Sequence, residues 1–336
     1  MRTATLLGGF GLSGLASASF AATKSSFKPV KFGLIADIHQ NHYPNVIERL
    51  DAFMAQVEIE KPDFLISLGD FCFPIPENEP FAKRFASSTV PAFHALGNHE
   101  MDKNSKDEVV DFLKMPNKYY SVDAAGYHLV FLDPNNIYSG GRFIDYEKSN
   151  YFKHGGNVSY MDDEQCDWLR DDLAKTKLPT FLFSHQSLLH DNGGIPNRAF
   201  VKGILKTTND NSVRDGNGRK ILGCFNGHHH RDAYREIDGI HYFSINSVSY
   251  FYSGIKTPHR LPDEEAYKKF GSLDKSVPYR DPLFSFVMIG DDGTLSLKGK
   301  KTEWIGPAFE GPTSPSVRYS QGDAIPEIRD RNVKLG

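Results

Sequence analysis

The stretch VKFGLIADIH, Val30 to His39, decides how this chain is read. A short apolar run from Val30 to Ala36 stops at Asp37, and His39 follows two places on. Such a run bounded by polar residues reads as a buried strand. The pattern recurs, with Phe64 to Leu68 ending at Gly69-Asp70 and Ala92 to Leu96 ending at Gly97-Asn98-His99-Glu100. Between these runs, Val46, Ile47, Leu50, Phe53, Met54 and Val57 have helical spacing after Pro44-Asn45, a capping pair, and Phe81 to Phe85 also reads as helix. Strand, helix, strand, helix, strand at this spacing predicts βαβ units and an α/β fold with parallel strands.

Working outward, Tyr119 to Val122 and Tyr127 to Leu132 flank Ala124-Ala125-Gly126 and predict an antiparallel hairpin. Residues 134–160, rich in Asn, Gly, Tyr and Ser, are expected to form a long loop, and long loops in a domain are often functional. Asp162 to Ala174 is expected to be a helix, its acidic first turn suiting the positive end of the dipole. Thr180 to Phe183 ends at Ser184-His185, and Ile221 to Phe225 ends at Asn226-Gly227-His228-His229-His230. His241 to Ile245 is a further strand, and Phe284 to Ile289 with Leu295 to Leu297 forms a hairpin around Asp291-Asp292-Gly293. One domain over residues 23–305 is expected, followed by an extended tail over 306–336, rich in Pro, Gly and charge.

Bulk properties narrow the chemistry. The 336 residues carry a net charge of only −3 and no Lys/Arg run, which disfavours a polynucleotide partner. Cys72, Cys166 and Cys224 make neither a CxxC motif nor an even disulfide framework, so any metal must be held by His, Asp and Asn. Arg2, a Gly- and Ser-broken apolar run from Ala4 to Leu15, and small residues at 16–21 read as a secretory leader over residues 1–22. That predicts export to a periplasm or medium; the alternative is a floppy extension on a cytoplasmic protein. Elsewhere no apolar stretch is long enough to span a bilayer.

Five strand-like runs thus end in short polar clusters: DIH, GD, GNHE, SH and GHHH. In a parallel sheet the carboxyl ends of the strands lie along one edge, where ligands bind. Asp37 and His39, two apart at a strand end, are expected to share one face, as are His228 and His230, with His229 pointing away. An isolated D-x-H or H-x-H is ordinarily a surface or capping feature, but five separate strand ends are not explained that way. Oxygen and imidazole donors without thiolate suit Mn, Fe, Zn or Co.

The ordered set D-x-H, G-D, G-N-H-E, H and G-H-x-H, between Lys31 and Asn246, resembles the calcineurin-like metallophosphoesterase superfamily. The resemblance implies two facing mixed β-sheets flanked by helices, a four-layer α/β/β/α sandwich. It also implies two divalent or trivalent metal ions. Asp37, His39 and His230 would hold the first, Asn98, His185 and His228 the second, and Asp70 would bridge them. It implies that His99 assists the leaving group, with Glu100 a candidate for orienting it. The implied reaction is hydrolysis of a small phosphomono- or phosphodiester, nucleotides included. Two cations about 3.5–4 Å apart neutralise charge on phosphate oxygens and activate a bridging hydroxide that attacks phosphorus.

Phe73 stands where purple acid phosphatases carry a tyrosine ligand, which argues against a tyrosinate-iron centre, and Phe71-Cys72-Phe73-Pro74 does not match the protein-phosphatase branch. A bacterial phosphodiesterase-like or phosphatase-like branch remains. Substrate choice is expected in the loops, where Asn135, Tyr151, His42, Gln186 and His190 are available. Two competing readings are a non-catalytic scaffold on the same fold, disfavoured because every ligand position is filled, and a nuclease, disfavoured by the charge.

Overall fold

The computed structural model describes residues 27–154, 159–259, 261, 263–271, 273–307, 309 and 322–336; the leader expected over residues 1–22 lies outside them. Strands β1 (Val30–Ile35), β2 (Phe64–Ser67) and β3 (Ala92–His94) lie parallel, connected through α1 (Val46–Glu60) and α2 (Glu79–Ala86). Helix α3 (Lys106–Leu113) opens with a capping box between Ser105 and Glu108, which satisfies the amides its first turn exposes. Asn45 does precede α1, but in a left-handed conformation and without a capping bond from its side chain.

The chain then builds a second sheet. Its strands are β4 (Tyr120–Ala124), β5 (Tyr127–Phe131), β6 (Thr180–Ser184), β7 (Ile221–Asn226), β8 (Ala233–Ile237) and β9 (Ile240–Ser244), with α4 (Asp163–Lys175) and α5 (Arg198–Arg214) interposed. Spatial order is β8-β9-β7-β6-β5-β4, antiparallel only at its two outer pairings. The first sheet is completed on the other side of β1 by β10 (Ser285–Ile289), β11 (Thr294–Lys298) and β12 (Arg331–Lys334), all antiparallel. Two six-stranded mixed sheets flanked by helices result, as the family resemblance implied.

Alternation along the strands makes the layers. Phe181, Phe183 and Phe225 turn inward and meet Phe32 of β1, whose ring centroid lies 6.1 Å from Phe183 and 5.8 Å from Phe225, both edge-on. Their neighbours Leu182 and Cys224 turn outward and bury against Leu169 and Leu173 of α4 and Val201, Ile204 and Leu205 of α5. On the far side, Phe53 of α1 stacks on Phe286 of β10. Burying such side chains stabilises the fold by about 1.5–3 kcal/mol each. The register also levels the strand ends: Ile35 sits opposite Ser67 and Ser67 opposite His94, while Phe131, Phe183, Phe225 and Phe243 form one row.

Two readings of the sequence are corrected and one element is added. Residues 134–160 are not all loop: Asn136–Ser139 and Arg142–Asp145 form an antiparallel ribbon around Gly140 and Gly141, and Tyr151–His154 is one helical turn. The chain end is no free arm, because β12 pairs with β11 and sets Val333 against Leu295. Helix α5 was not anticipated, since its buried Val201, Ile204 and Leu205 are diluted by polar residues and Gly203.

At the edge of the second sheet, His128 on β5 bridges Asp123 on β4 (2.6 Å) and Asp172 on α4 (2.8 Å). Burial disfavours the imidazolium, but hydrogen bonds to the two carboxylates outweigh it and raise the pKa of His128 above 6.5. Its contribution to stability is therefore complete below the unfolded pKa of about 6.5 and is lost as pH rises through the higher folded value. Thermal melts of native protein and His128→Gln should differ most near pH 6 and converge toward pH 9. A gap that stays constant or widens with pH would refute this clamp.

Candidate metal centre

The residues that follow β1, β2 and β7 adopt a backbone conformation unusual for side chains with a Cβ. Asp37, His39, Asp70, His228 and His230 have φ of 53°, 60°, 53°, 68° and 49°. Left-handed backbone at such residues costs about 1–3 kcal/mol each and persists only where the surroundings enforce it. So Asp37 and His39 converge, and His228 and His230 reach one donor group each, because the chain coils after each strand, not because strand pleating puts each pair on one face. The enforcing contacts run between loops. The amides of Asp37 and His39 donate to the carbonyls of Gly69 (3.1 Å) and Asp70 (2.9 Å), and the Ser247 and Ser249 hydroxyls donate to the carbonyls of Asp37 and Ile38. A Cβ on Gly97 would fall 2.1 Å from the Asp70 amide nitrogen, and one on Gly69 would fall 2.6 Å from the Gly97 nitrogen.

This packing gathers two groups of donors: Asp37, His39 and His230, and Asp70, His185 and His228. In the first, His39 Nε2 and His230 Nε2 face each other at 3.0 Å, and Asp37 Oδ1 lies 3.2 Å from His230 Nε2. In the second, His185 Nε2 faces His228 Nδ1 at 3.2 Å and Asp70 Oδ2 at 3.1 Å. Asp70 Oδ2 also lies 3.7 Å from His39 Nε2, which puts this carboxylate between the groups. His229 turns away, its Nε2 donating to the Asn192 carbonyl.

The donor chemistry fits metal ions. His185 and His230 donate from Nδ1 to the carbonyls of Leu68 and Tyr250, both at 2.8 Å, which fixes the tautomer and aims the Nε2 lone pair inward. Burial pulls His39 and His228 well below 6.5, so these rings are neutral, as ligands must be. Asn98 Oδ1 is buried with no hydrogen-bond partner, an expensive arrangement unless something positive meets it. Burial also opposes a charge on His185, yet Asp70 and Asp37 raise it to about 10: these carboxylates draw in positive charge.

His99 stands beside the second group, its amide donating to Asp70 Oδ1 at 2.9 Å. Its Nδ1 donates to Asp102 Oδ2 at 2.7 Å, and Tyr146 Oη fixes the other oxygen, Oδ1, at 2.8 Å. Burial lowers His99, but Asp70 and the Asp102 hydrogen bond prevail and lift it to about 9. The carboxylate that orients His99 is therefore Asp102, not Glu100. Glu100 is buried and accepts from the Phe71 amide at 2.8 Å, and burial followed by the neighbouring Asp70 charge pushes it up to about 8. Asp102 and Tyr146 were missed; the i, i+3 spacing of His99 and Asp102 on one turn was the available signal for the first.

The loop residues divide. Asn135 and Gln186 are buried braces: Gln186 Nε2 donates to Asn135 Oδ1 at 2.7 Å, and Asn135 Nδ2 to the Leu96 carbonyl at 3.0 Å. This brace meets Lys106, which is buried and bonded to Asp133, Asn136 and Asp145. His190 packs inside, against the Ser244 hydroxyl. Tyr250 packs on the rings of His39 and His230. His42 and Tyr151, together with Tyr252, Asp191 and Arg198, line a cavity of about 1020 Å³ that opens onto both donor groups.

Replacing Gly97 by alanine should displace Asp70 and cost on the order of 10²-fold in hydrolysis, with reduced metal content, given what a misplacement of about 1 Å does to a reacting geometry. Gly203→Ala, where a Cβ meets nothing within 4 Å, is the control and should leave both unchanged. Elemental analysis beside circular dichroism reads the outcome; a folded Gly97→Ala protein with full metal content and activity would refute the constraint.

Residues 30–232 match the family model of the calcineurin-like phosphoesterases. No curated protein matches significantly. Among solved structures, a dimetal phosphatase from Danio rerio is similar over 82% of this chain and 98% of its own, with 15% identity and a TM-score of 0.55. GAP50, the anchor in the inner membrane complex of Plasmodium, is 13% identical over 88% of this chain and 94% of its own, with a TM-score of 0.49. A purple acid phosphatase from yellow lupin seeds is 14% identical over 91% and 54%, with a TM-score of 0.46. At these identities the structural likeness speaks for the fold alone. The family match, however, runs from the first strand through every strand-end cluster to His230, so this chain belongs to the calcineurin-like phosphoesterase family.

Proposed function

We propose that the protein hydrolyses phosphate esters of small-molecule size, mono- or diesters, at a two-metal centre. The observation that carries this reading is the pair of facing donor groups with Asp70 between them, at the floor of a cavity of about 1020 Å³. Asp37, His39 and His230 would hold one ion, Asn98, His185 and His228 the other, and Asp70 both, since a carboxylate has two oxygens to share. When bound, such ions supply Lewis-acid polarisation of phosphoryl oxygens and lower the pKa of water.

The chain's own residues do the rest. Buried backbone contacts hold the donors in place, so little reorganisation is needed when charge develops. His99, oriented through Nδ1 by Asp102, presents Nε2 as the proton donor to the departing alkoxide. Asp102, Asp191 and Arg198 give the cavity mixed charge, which favours a compact ester over a polynucleotide backbone. The leader-like pattern of residues 1–22 supports export as the proposed location.

Release of the aryl alcohol from mono- and bis-aryl phosphates in the presence of Mn²⁺ tests the reading. Turnover should vanish with a chelator and return on adding metal; no turnover of either ester with any of Mn, Fe, Zn or Co would sink it. His99→Asn should separate substrates by leaving group. Alkyl esters, which need a proton, should lose about 10²–10⁴-fold in kcat, whereas aryl esters with good leaving groups should lose far less. Equal losses on both would remove His99 from the proton-donor role.

A further inference from the structure

Next to the two donor groups a third set of metal-ligating side chains converges: His42, His99 and Asp102, with donor atoms within 4.8 Å of one another. We propose that these three residues form a third cation site, suited to zinc, whose filling inhibits the enzyme. All three line the central cavity, so an ion reaches them from solvent. Asp102 Oδ2 lies 2.7 Å from His99 Nδ1 and 3.9 Å from His42 Nε2, while Tyr146 holds the opposite oxygen, as outer partners of metal-binding carboxylates do. His42 Nε2 is buried without a hydrogen-bond partner, a cost that a cation would remove.

Two imidazoles, one carboxylate and a solvent-facing fourth position are the donor set of an open tetrahedral zinc site. Zn–N distances of about 2.0–2.1 Å place neighbouring ligand atoms about 3.3 Å apart, so the 2.7 and 3.9 Å spacings to Asp102 change by less than about 1 Å each on zinc binding. The proton that His99 Nδ1 shares with Asp102 leaves to solvent as that nitrogen takes the metal. Ring centroids of His39 lie 5.4 Å from His99 and 5.7 Å from His42, so ions at the main centre repel the newcomer. The third site is therefore the weakest and fills last. Inhibition follows because His99 loses its proton-donor arrangement with Asp102, a consequence that rests on the role proposed for His99 above.

The test titrates zinc into the holoenzyme holding two ions, counting bound metal by elemental analysis after equilibrium dialysis and following aryl monoester hydrolysis in parallel. A third equivalent should bind at higher free zinc, with activity falling in step. His42→Leu should keep two ions and, measured against its own zinc-free rate, should need at least about tenfold more zinc for inhibition. Asp102→Asn, read by metal count alone, should also lose the third equivalent, which covers the case of a misfolded His42→Leu. A stoichiometry that stays at two under inhibitory zinc, or a His42→Leu protein that still binds three, would overturn the site. A third equivalent without inhibition would overturn its regulatory role. A third equivalent in a protein that hydrolyses no ester would leave the site standing and remove the phosphoesterase reading instead.

Discussion

The approach of Gly97 to Asp70 is the constraint on which the centre depends. Two loops, one after β2 and one after β3, pass so close that a methyl group on Gly97 would overlap the Asp70 backbone and carboxylate. That contact holds Asp70 between the donor groups and lets the His99 amide reach Asp70 Oδ1. The same loop carries Asn98 and turns to bring Asp102 behind His99, so one glycine positions Asp70, Asn98 and His99 for the bridging, ligand and proton-donor roles proposed for them.

Such a site is costly to build. Several donors sit on left-handed backbone, and carboxylates are buried next to imidazoles with few hydrogen bonds to spare. The two-sheet core opposes that cost: Phe32, Phe64, Phe181, Phe183 and Phe225 form an aromatic interior that fixes the strands whose ends carry the loops. Strain and unpaired polar atoms concentrate at the edge where the two sheets present level strand ends, and metal binding relieves both electrostatic imbalance and unmet hydrogen bonding there.

The electrostatics divide the cavity. Buried His39 and His228 are neutral donors, whereas His99, beside Asp70 and Asp102, is drawn toward the charged form. A buried neutral imidazole and one drawn toward the charged form thus stand side by side, the His39 and His99 ring centroids 5.4 Å apart; both feel Asp70, and the hydrogen bond to Asp102 sets His99 apart. The proposed cation site at His42, His99 and Asp102 follows from this closeness, since the carboxylate that raises His99 and the imidazoles beside it are also good metal donors.

The sequence by itself determined the apolar strands that end at the site and the residue types of the donors. Apolar runs such as Val30 to Ala36 and Ile221 to Phe225 must be buried, so the polar residues just beyond them must emerge along a sheet edge, and the order of the clusters carried the family. Tertiary structure alone decided which donors meet. Left-handed turns, not strand alternation, brought Asp37 to His39 and parted His228 from His230 between the two donor groups, because φ is set by contacts between loops distant in sequence. It also exchanged Glu100 for Asp102 as the partner of His99, since the turn at His99–Met101 points Glu100 inward to the Phe71 amide. Asn135 and Gln186, legible only as polar loop residues, became buried braces for the same reason: their partners lie on other strands. Local sequence fixes burial and chemical type, but convergence of side chains depends on long-range packing that no short window contains.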